Sequence, residues 1–233
     1  MESMLEELRL LIKARYPFIY LVSYEEERVV RGLRWLTGNQ EERLSIWTAT
    51  TGFETADAVV SDAVDPLKAL EVVRLHGPRQ LFLFKDFHPY LEDHRVLRRL
   101  RDLEPLLEED QKTLLFLAPL VALPRELEKD MVVIDVPLPS PSEISRLLNA
   151  LVKAHGLKLE PPLFEKIVTS SLGLTEKEIK KVYARILLSG SLFTEQDLTT
   201  LIGEKRRILR RNQFLEFVEV AEPLEGVGGL CLL

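Results

Sequence analysis

Five short apolar runs, separated by stretches of helical periodicity, constrain the fold of this chain more than any other feature. They are Phe18–Val22, Leu44–Trp47, Leu81–Phe84, Thr113–Leu117 and Val132–Val136. Runs without polar alternation read as strands buried on both faces, and such strands belong to a parallel sheet covered by helices. The intervening patterns supply the helices. Glu2 to Ala14 places Leu5, Leu8, Leu11 and Ile12 on one face and stops before Pro17. A second helix runs from the end of the first strand to about Leu36. Asp65-Pro66 is an N-cap followed by proline at the first helical position. Val96, Leu97, Leu100 and Leu103 mark the helix between the third and fourth strands. The expected fold class is α/β, a parallel sheet of about five strands flanked by helices over residues 1–139.

Beyond that point the pattern becomes helical throughout. Leu138-Pro139-Ser140-Pro141 reads as a linker, and Ser140 to Glu143 as a capping box with proline at the first helical position. Thr175-Glu176-Lys177-Glu178 is a second capping box, and Thr194 caps a further helix with Asp197 in its first turn. Ile144, Leu147, Leu148 and Leu151, then Ile179, Val182, Tyr183 and Ile186, then Leu198, Leu201 and Ile202 recur at helical spacing. Residues 140–211 therefore read as a bundle of about four helices. Phe214 to Val220 alternates as a short strand or extended tail.

Composition narrows the function classes. The 233 residues carry a net charge of −6, with 46% apolar and 29% charged residues, as in ordinary globular domains. A negative balance opposes non-specific nucleic-acid binding. No apolar window approaches the ~18 residues of a membrane span. The acidic start, Met1-Glu2-Ser3-Met4-Leu5-Glu6-Glu7, is unlike a secretory signal. Cys231 is the single cysteine, which fits a reducing cytoplasm or plastid stroma.

A sheet of this kind followed by a small helical lid resembles an AAA module. Thr113–Pro119 with Leu123–Leu127 resembles the sensor strand and the short helix after it. Val132–Pro139 resembles the last strand and its exit into the lid, and Gly173–Ile179 the start of a lid helix. Ala14–Ser23, Lys85–Pro89, Arg98–Leu103 and the closing Val227-Gly228-Gly229-Leu230 resemble, in order and spacing, one family. It is that of the conserved AAA ATPases of algal plastid genomes and cyanobacteria, with bacterial relatives. The resemblance covers nearly the whole chain. It implies that this region is a degenerate AAA-like N-terminal domain, with the hydrolytic module following it and holding ATP and magnesium. Val227, Gly228 and Gly229 then belong to the turn bordering that module's nucleotide pocket. Where the family usually has an acidic residue after the leucine, this chain has Cys231. Residues 212–233 are expected to be a linker and the start of a catalytic module that is otherwise missing, as in a truncated or interrupted reading frame.

The residues themselves argue against nucleotide chemistry upstream. A P-loop needs Gly-x-x-x-x-Gly-Lys-Ser/Thr after the first strand, so that backbone N–H groups cradle phosphate and lysine neutralises it. Here the junction reads Val22-Ser23-Tyr24-Glu25-Glu26-Glu27-Arg28. Ser23 to Glu26 reads instead as a capping box, in which the helix satisfies its own N–H groups. At ~6 Å and an effective dielectric of ~20, each glutamate would repel a phosphate charge by roughly 3 kcal/mol at most. The third strand ends Phe84-Lys85-Asp86-Phe87, leaving Asp86 alone where magnesium chemistry wants two successive acids. The fourth ends Ala118-Pro119 without a polar sensor. No catalytic residue is expected in the chain.

Other features carry two readings each. Asp86-Phe87-His88-Pro89 at a central strand end is a relic of a catalytic edge or a contact surface for a neighbouring module or subunit. His88 and His94 flank Glu92 and Asp93, as a solvated loop or a weak metal site; no metal is expected. Arg95, Arg98, Arg99 and Arg101 form a solvated helix face, or one or two of them pair with acids across a subunit boundary. Glu204–Arg211 is the strongest basic run, with Ile208 and Leu209 inward and Arg206, Arg207, Arg210 and Arg211 outward. It is an exposed helix face or, as the weaker alternative, a phosphate-contacting stripe. The interface candidates are thus His88, Arg98, Arg101, Arg206 and Arg207. The expected function is a non-catalytic regulatory and assembly domain of an AAA ATPase; the alternative is a full ATP-binding enzyme seen in part. Expected partners are its own C-terminal module, further copies of the chain and an unidentified protein, with no membrane.

Overall fold

The computed structural model describes residues 1–38, 43–54, 59–60, 63–189 and 193–211. It divides into two compact units, Met1–Ser140 and one beginning at Pro141. The first contains, in order, α1 (Glu2–Lys13), β1 (Phe18–Val22), α2 (Glu26–Leu36), β2 (Leu44–Thr48), β3 (Gly52–Glu54), β4 (Val59–Val60), α3 (Pro66–Leu75), β5 (Leu81–Lys85), α4 (His94–Asp110), β6 (Thr113–Ala118) and β7 (Met131–Asp135). Short 3-10 turns occupy His88–Glu92 and Arg125–Leu127.

The strands form one sheet in the order β4-β3-β2-β5-β6-β1-β7. The five strands read from the sequence are its parallel part, running β2-β5-β6-β1-β7. β3 and β4 extend it antiparallel at one edge. With three and two residues, they are too short to display a period, so the sequence did not announce them. β1 lies between β6 and β7, with Val22 opposite Ala118 on one side and Asp135 on the other.

Period-two alternation sorts the core by chemistry. On one face Phe18, Tyr20, Trp47, Phe53, Phe82, Phe84 and Phe116 pack with Leu70 and Val73 of α3 and Val96, Leu100 and Leu103 of α4. On the other, Ile19, Leu21, Leu44, Ile46, Leu83, Leu115 and Leu117 meet Met4, Leu5 and Leu8 of α1 and Val29 and Leu33 of α2. The aromatic rings touch from strand to strand: Phe53 to Phe84 at 5.6 Å, Trp47 to Phe84 at 5.4 Å, Phe84 to Phe116 at 5.8 Å and Phe116 to Phe18 at 6.3 Å. Each such side chain gains roughly 1.5–3 kcal/mol from burial, and tilted or edge-on pairs add about 0.5–1.5 kcal/mol. The Trp47 indole N–H donates to the Ala63 carbonyl at 2.6 Å, so its polar atom is satisfied inside the core. Asp65 caps α3 by accepting from the Lys68 amide at 3.0 Å, with Pro66 opening the helix.

The second unit contains α5 (Pro141–Ala154), α6 (Pro161–Ser171), α7 (Glu176–Leu188) and α8 (Glu195–Arg211). The capping box at Thr175 forms: Glu178 accepts from the Thr175 amide at 2.8 Å, and Thr175 Oγ1 accepts from the Glu178 amide at 3.3 Å. Asp197 likewise accepts from the Thr194 amide at 2.6 Å. The core gathers Ile144, Leu148, Ile167, Ile179, Tyr183 and Leu201. Within it the Ser171 hydroxyl donates to the Ile167 carbonyl at 2.8 Å, which leaves the Tyr183 hydroxyl, also 2.8 Å away, as donor to Ser171. The segment Phe214–Val220 lies outside the described residues.

Burial pushes the Tyr183 phenol up to about 12, with the Ser171 hydroxyl opposing in part. A phenol pKa of about 10 in the unfolded chain means the unfolded state loses its proton first as pH rises. The stabilisation is complete below pH ~10 and is lost as pH climbs towards ~12, a decline of about 2–3 kcal/mol. Denaturant titrations of the intact chain across that window should show this extra decline relative to Tyr183→Phe, in which it disappears.

Candidate functional site

The C-terminal edge of the parallel strands is where open α/β sheets bind ligands. Here that edge is filled by the protein's own groups. Beyond Val22 the chain turns directly into α2. Ser23 Oγ accepts from the Glu25 amide at 2.9 Å, two residues ahead, and no side chain caps α2, whose N-cap residue is Glu25. The expected capping box over Ser23–Glu26 is therefore corrected to a tight hydroxyl turn. The cause is that both glutamates are used elsewhere. Glu25 is buried and pairs with the buried Arg28 at 2.7 Å, and Arg28 also donates to the Pro137 carbonyl at 2.6 Å. Glu26 pairs with Lys85, the last residue of β5, at 3.1 Å.

Asp86 follows Lys85 and adopts the left-handed region at φ 49°, with its amide donating to the Leu117 carbonyl at 2.8 Å. Its side chain is exposed and makes no ion pair among the described residues. The Tyr20 hydroxyl donates to the Leu120 carbonyl at 2.8 Å, fixing the chain just beyond β6. Burial raises the Tyr20 phenol; a backbone hydrogen bond at Ala122 lowers it, and the Asp86 carboxylate raises it further. The carboxylate of Asp86 thus faces the same edge as the Tyr20 hydroxyl.

The cations of this corner are engaged within the chain. Of its two cations, Arg28 is paired and buried, and Lys85 is paired with Glu26. The strand β6 ends in buried Ala118, whose carbonyl accepts from the Ser23 amide at 2.9 Å. Among the described residues no group of three or more His, Cys, Asp or Glu side chains is placed to hold a metal ion. A cavity of about 430 Å³ lies instead at the opposite end of the sheet, lined by Ala14 and Arg15 ahead of β1 and by Pro105, Glu108 and Glu109 of α4.

The remaining candidates are scattered. His88 opens the 3-10 turn after β5; it is half-buried, and its Nδ1 has no hydrogen-bond partner among the described residues. Asp93 is spent on capping α4 and on Arg95, whose guanidinium lies at 2.7 Å and holds the carboxyl down to about 2. Arg98 pairs with Asp102, and Arg99 with Glu71. Arg101 is the exposed member of the set without an ion pair among the described residues, although it lies near enough to Glu104 to act on its charge. On α8 the expected outward stripe is assessed at Arg206, Arg207 and Ile208, the side chains of Leu209, Arg210 and Arg211 lying outside the described residues. Arg206 is half-buried, Ile208 packs against the core, and exposed Arg207 shares Glu204 with Arg185. A glutamate between two arginines lowers the local positive potential that phosphate contacts would need. Val227, Gly228 and Gly229 lie outside the described residues.

The internal ion pairs of this corner were missed by sequence reasoning. Glu25, at the N-cap of α2, and Arg28 in its first turn stand three apart, which suggests contact but not burial. The Pro137 carbonyl, 109 positions away from Arg28, has no sequence signal at all.

Comparison with known proteins identifies the architecture. Residues 4–136 match the N-terminal domain of SpoVK-like AAA ATPases, and residues 142–212 match the second domain of the same family. The uncharacterized AAA domain-containing protein ycf46 of Trieres chinensis is 31% identical over 229 residues, covering 97% of this chain and 46% of that protein. Its counterpart in Guillardia theta is 31% identical over 233 residues, covering 98% and 46%. The chain thus spans about half the length of the curated relatives it matches. Among solved structures, the Thermotoga maritima RuvB Holliday junction branch migration motor aligns with a TM-score of 0.57 at 10% identity, over 87% of this chain and 68% of that one. Domain III of the Thermotoga maritima replication initiation protein DnaA aligns at 0.53 and 12% identity, over 87% and 91%. These likenesses concern the fold. With both of its units matched in order, the chain belongs to the SpoVK-like AAA ATPase family.

Proposed function

We propose that these residues form a non-catalytic regulatory and assembly domain of an AAA ATPase, with ATP and magnesium handled by another module of a longer polypeptide. The observation that carries the reading is the edge beyond β1. There the Glu25–Arg28 and Glu26–Lys85 pairs occupy the place of a phosphate cradle. A nucleotide would have to displace Glu26 from Lys85 and then sit beside Glu25, Glu26 and Asp86. Family membership supports the wider setting, and the relatives' doubled length supports a further module. The partners in this reading are that module, further copies of the chain and an unidentified protein. The setting is the cytoplasm or plastid stroma, and no described helix is long and apolar enough to cross a membrane.

Calorimetric titration with magnesium-ATP tests the reading directly. The expected result is no saturable binding at roughly millimolar affinity or tighter. Binding in that range, or turnover abolished by Asp86→Ala, would overturn it. A second experiment addresses the filled corner. Arg28→Met removes a buried cation that pairs with the Glu25 carboxylate and should cost about 3–5 kcal/mol in chemical denaturation. Adding Glu25→Gln should recover more than half of that loss, because the buried carboxylate that Arg28 compensated is then neutral as well. Additive losses would show that the pair is not the unit that holds this corner.

A further inference from the structure

The same edge that lacks a phosphate cradle carries an unusual surface. Tyr24 is 81% exposed, Leu120 49%, Val121 54% and Leu138 46%. They are separated in sequence, yet each follows the C-terminal end of one of three adjacent strands. Val22 lies beside Ala118 and Asp135, and Tyr24, Leu120 and Pro137 each stand two positions beyond one of those three residues. The hydrogen bond from Tyr20 to the Leu120 carbonyl and that from Arg28 to the Pro137 carbonyl pin the flanking segments. The apolar groups are thus held on tethered backbone at one end of three adjacent strands. Large apolar side chains exposed together along one strand edge are the kind of surface that interaction sites use.

The charges around it select the partner. Asp86 beyond β5 and Asp135 at the end of β7 are exposed, and neither makes an ion pair among the described residues. The cations of this edge, Lys85 and Arg28, are already neutralised by Glu26 and Glu25. An apolar centre with an acidic rim complements a segment that is apolar at its centre and basic at its rim.

We propose that the C-terminal edge of β6, β1 and β7 docks a basic polypeptide segment of a partner protein, presenting large apolar side chains to Tyr24, Leu120, Val121 and Leu138 and lysine or arginine to Asp86 and Asp135. This rests on the reading that no nucleotide takes the edge.

The test is fluorescence anisotropy with the full chain and a dye-labelled synthetic peptide of about a dozen residues, in which leucine and tryptophan alternate with arginine. One control peptide replaces arginine by glutamate; another replaces leucine and tryptophan by serine. The arginine–leucine–tryptophan peptide should bind saturably and both controls at least roughly tenfold more weakly, since both the apolar centre and the rim charge contribute. Leu120→Ser with Val121→Ser should weaken binding roughly tenfold. Asp86→Asn with Asp135→Asn should weaken it several-fold at low salt, with a smaller effect at high salt. Trp35→Ser, on the exposed face of α2, should leave it unchanged. Thermal unfolding verifies that each variant is folded, and the paired asparagine variant stands as an independent test if the serine variant is not. Absence of binding, equal binding of the serine control peptide, or indifference to both paired variants would overturn the proposal. If magnesium-ATP binds, the functional reading fails; if neither nucleotide nor peptide binds, the docking inference alone fails.

Discussion

An arginine sealed from water must find its compensation inside the protein, and at Arg28 that requirement organises the corner beyond β1. Its guanidinium joins the Glu25 carboxylate to the Pro137 carbonyl and so ties the first turn of α2 to the exit of β7. A buried charge of this kind adds little net stability over an apolar substitute, but it is costly to break and tightly directional. The start of α2 is therefore set by an ion pair in the interior. Ser23 is left to close a local turn, and Glu26 is free to reach across to Lys85.

That arrangement connects fold to function. The strand order β2-β5-β6-β1-β7 places β1 under the edge where ligands of such sheets sit. Members of this architecture that bind phosphate need open amides and an unpaired lysine there. This chain has instead an internal salt bridge, a paired lysine and a solitary aspartate on strained left-handed backbone. The geometry of an AAA fold is kept while the chemistry of its first strand-to-helix junction is replaced by self-contacts.

Much of the fold was legible because burial on both faces writes itself as unbroken apolar runs. All five such runs became strands, with boundaries shifted by a residue or so. Asp65-Pro66 and the Thr175 box were readable for a local reason: a cap needs only a few adjacent residues. The Ser23 box looked the same on paper and failed, because its glutamates had stronger partners in the interior that no local window reveals. β3 and β4 were invisible through brevity. Of the candidate site, the lack of a phosphate loop and the isolation of Asp86 could be read directly. The bond from Arg28 to Pro137 and the placement of Tyr24, Leu120 and Leu138 beyond three adjacent strand ends depend on strand register, which is a property of the assembled sheet. The arginines of α4 read as a solvated face or as partners for acids across a subunit boundary, whereas three of the four are paired within the chain, with Asp93, Asp102 and Glu71.

The segregation of ring-bearing side chains to one face of the sheet and branched aliphatics to the other has a consequence for how the sequence can drift. Flexible aliphatic chains exchange methyl groups with their neighbours at small cost, so the layer under α1 and α2 can be rewritten in many near-equivalent ways. Planar rings locked edge-to-tilt across five strands admit few substitutes of matching shape. Over long divergence, the layer under α3 and α4 should hold the memory of the fold, while the opposite layer absorbs the change.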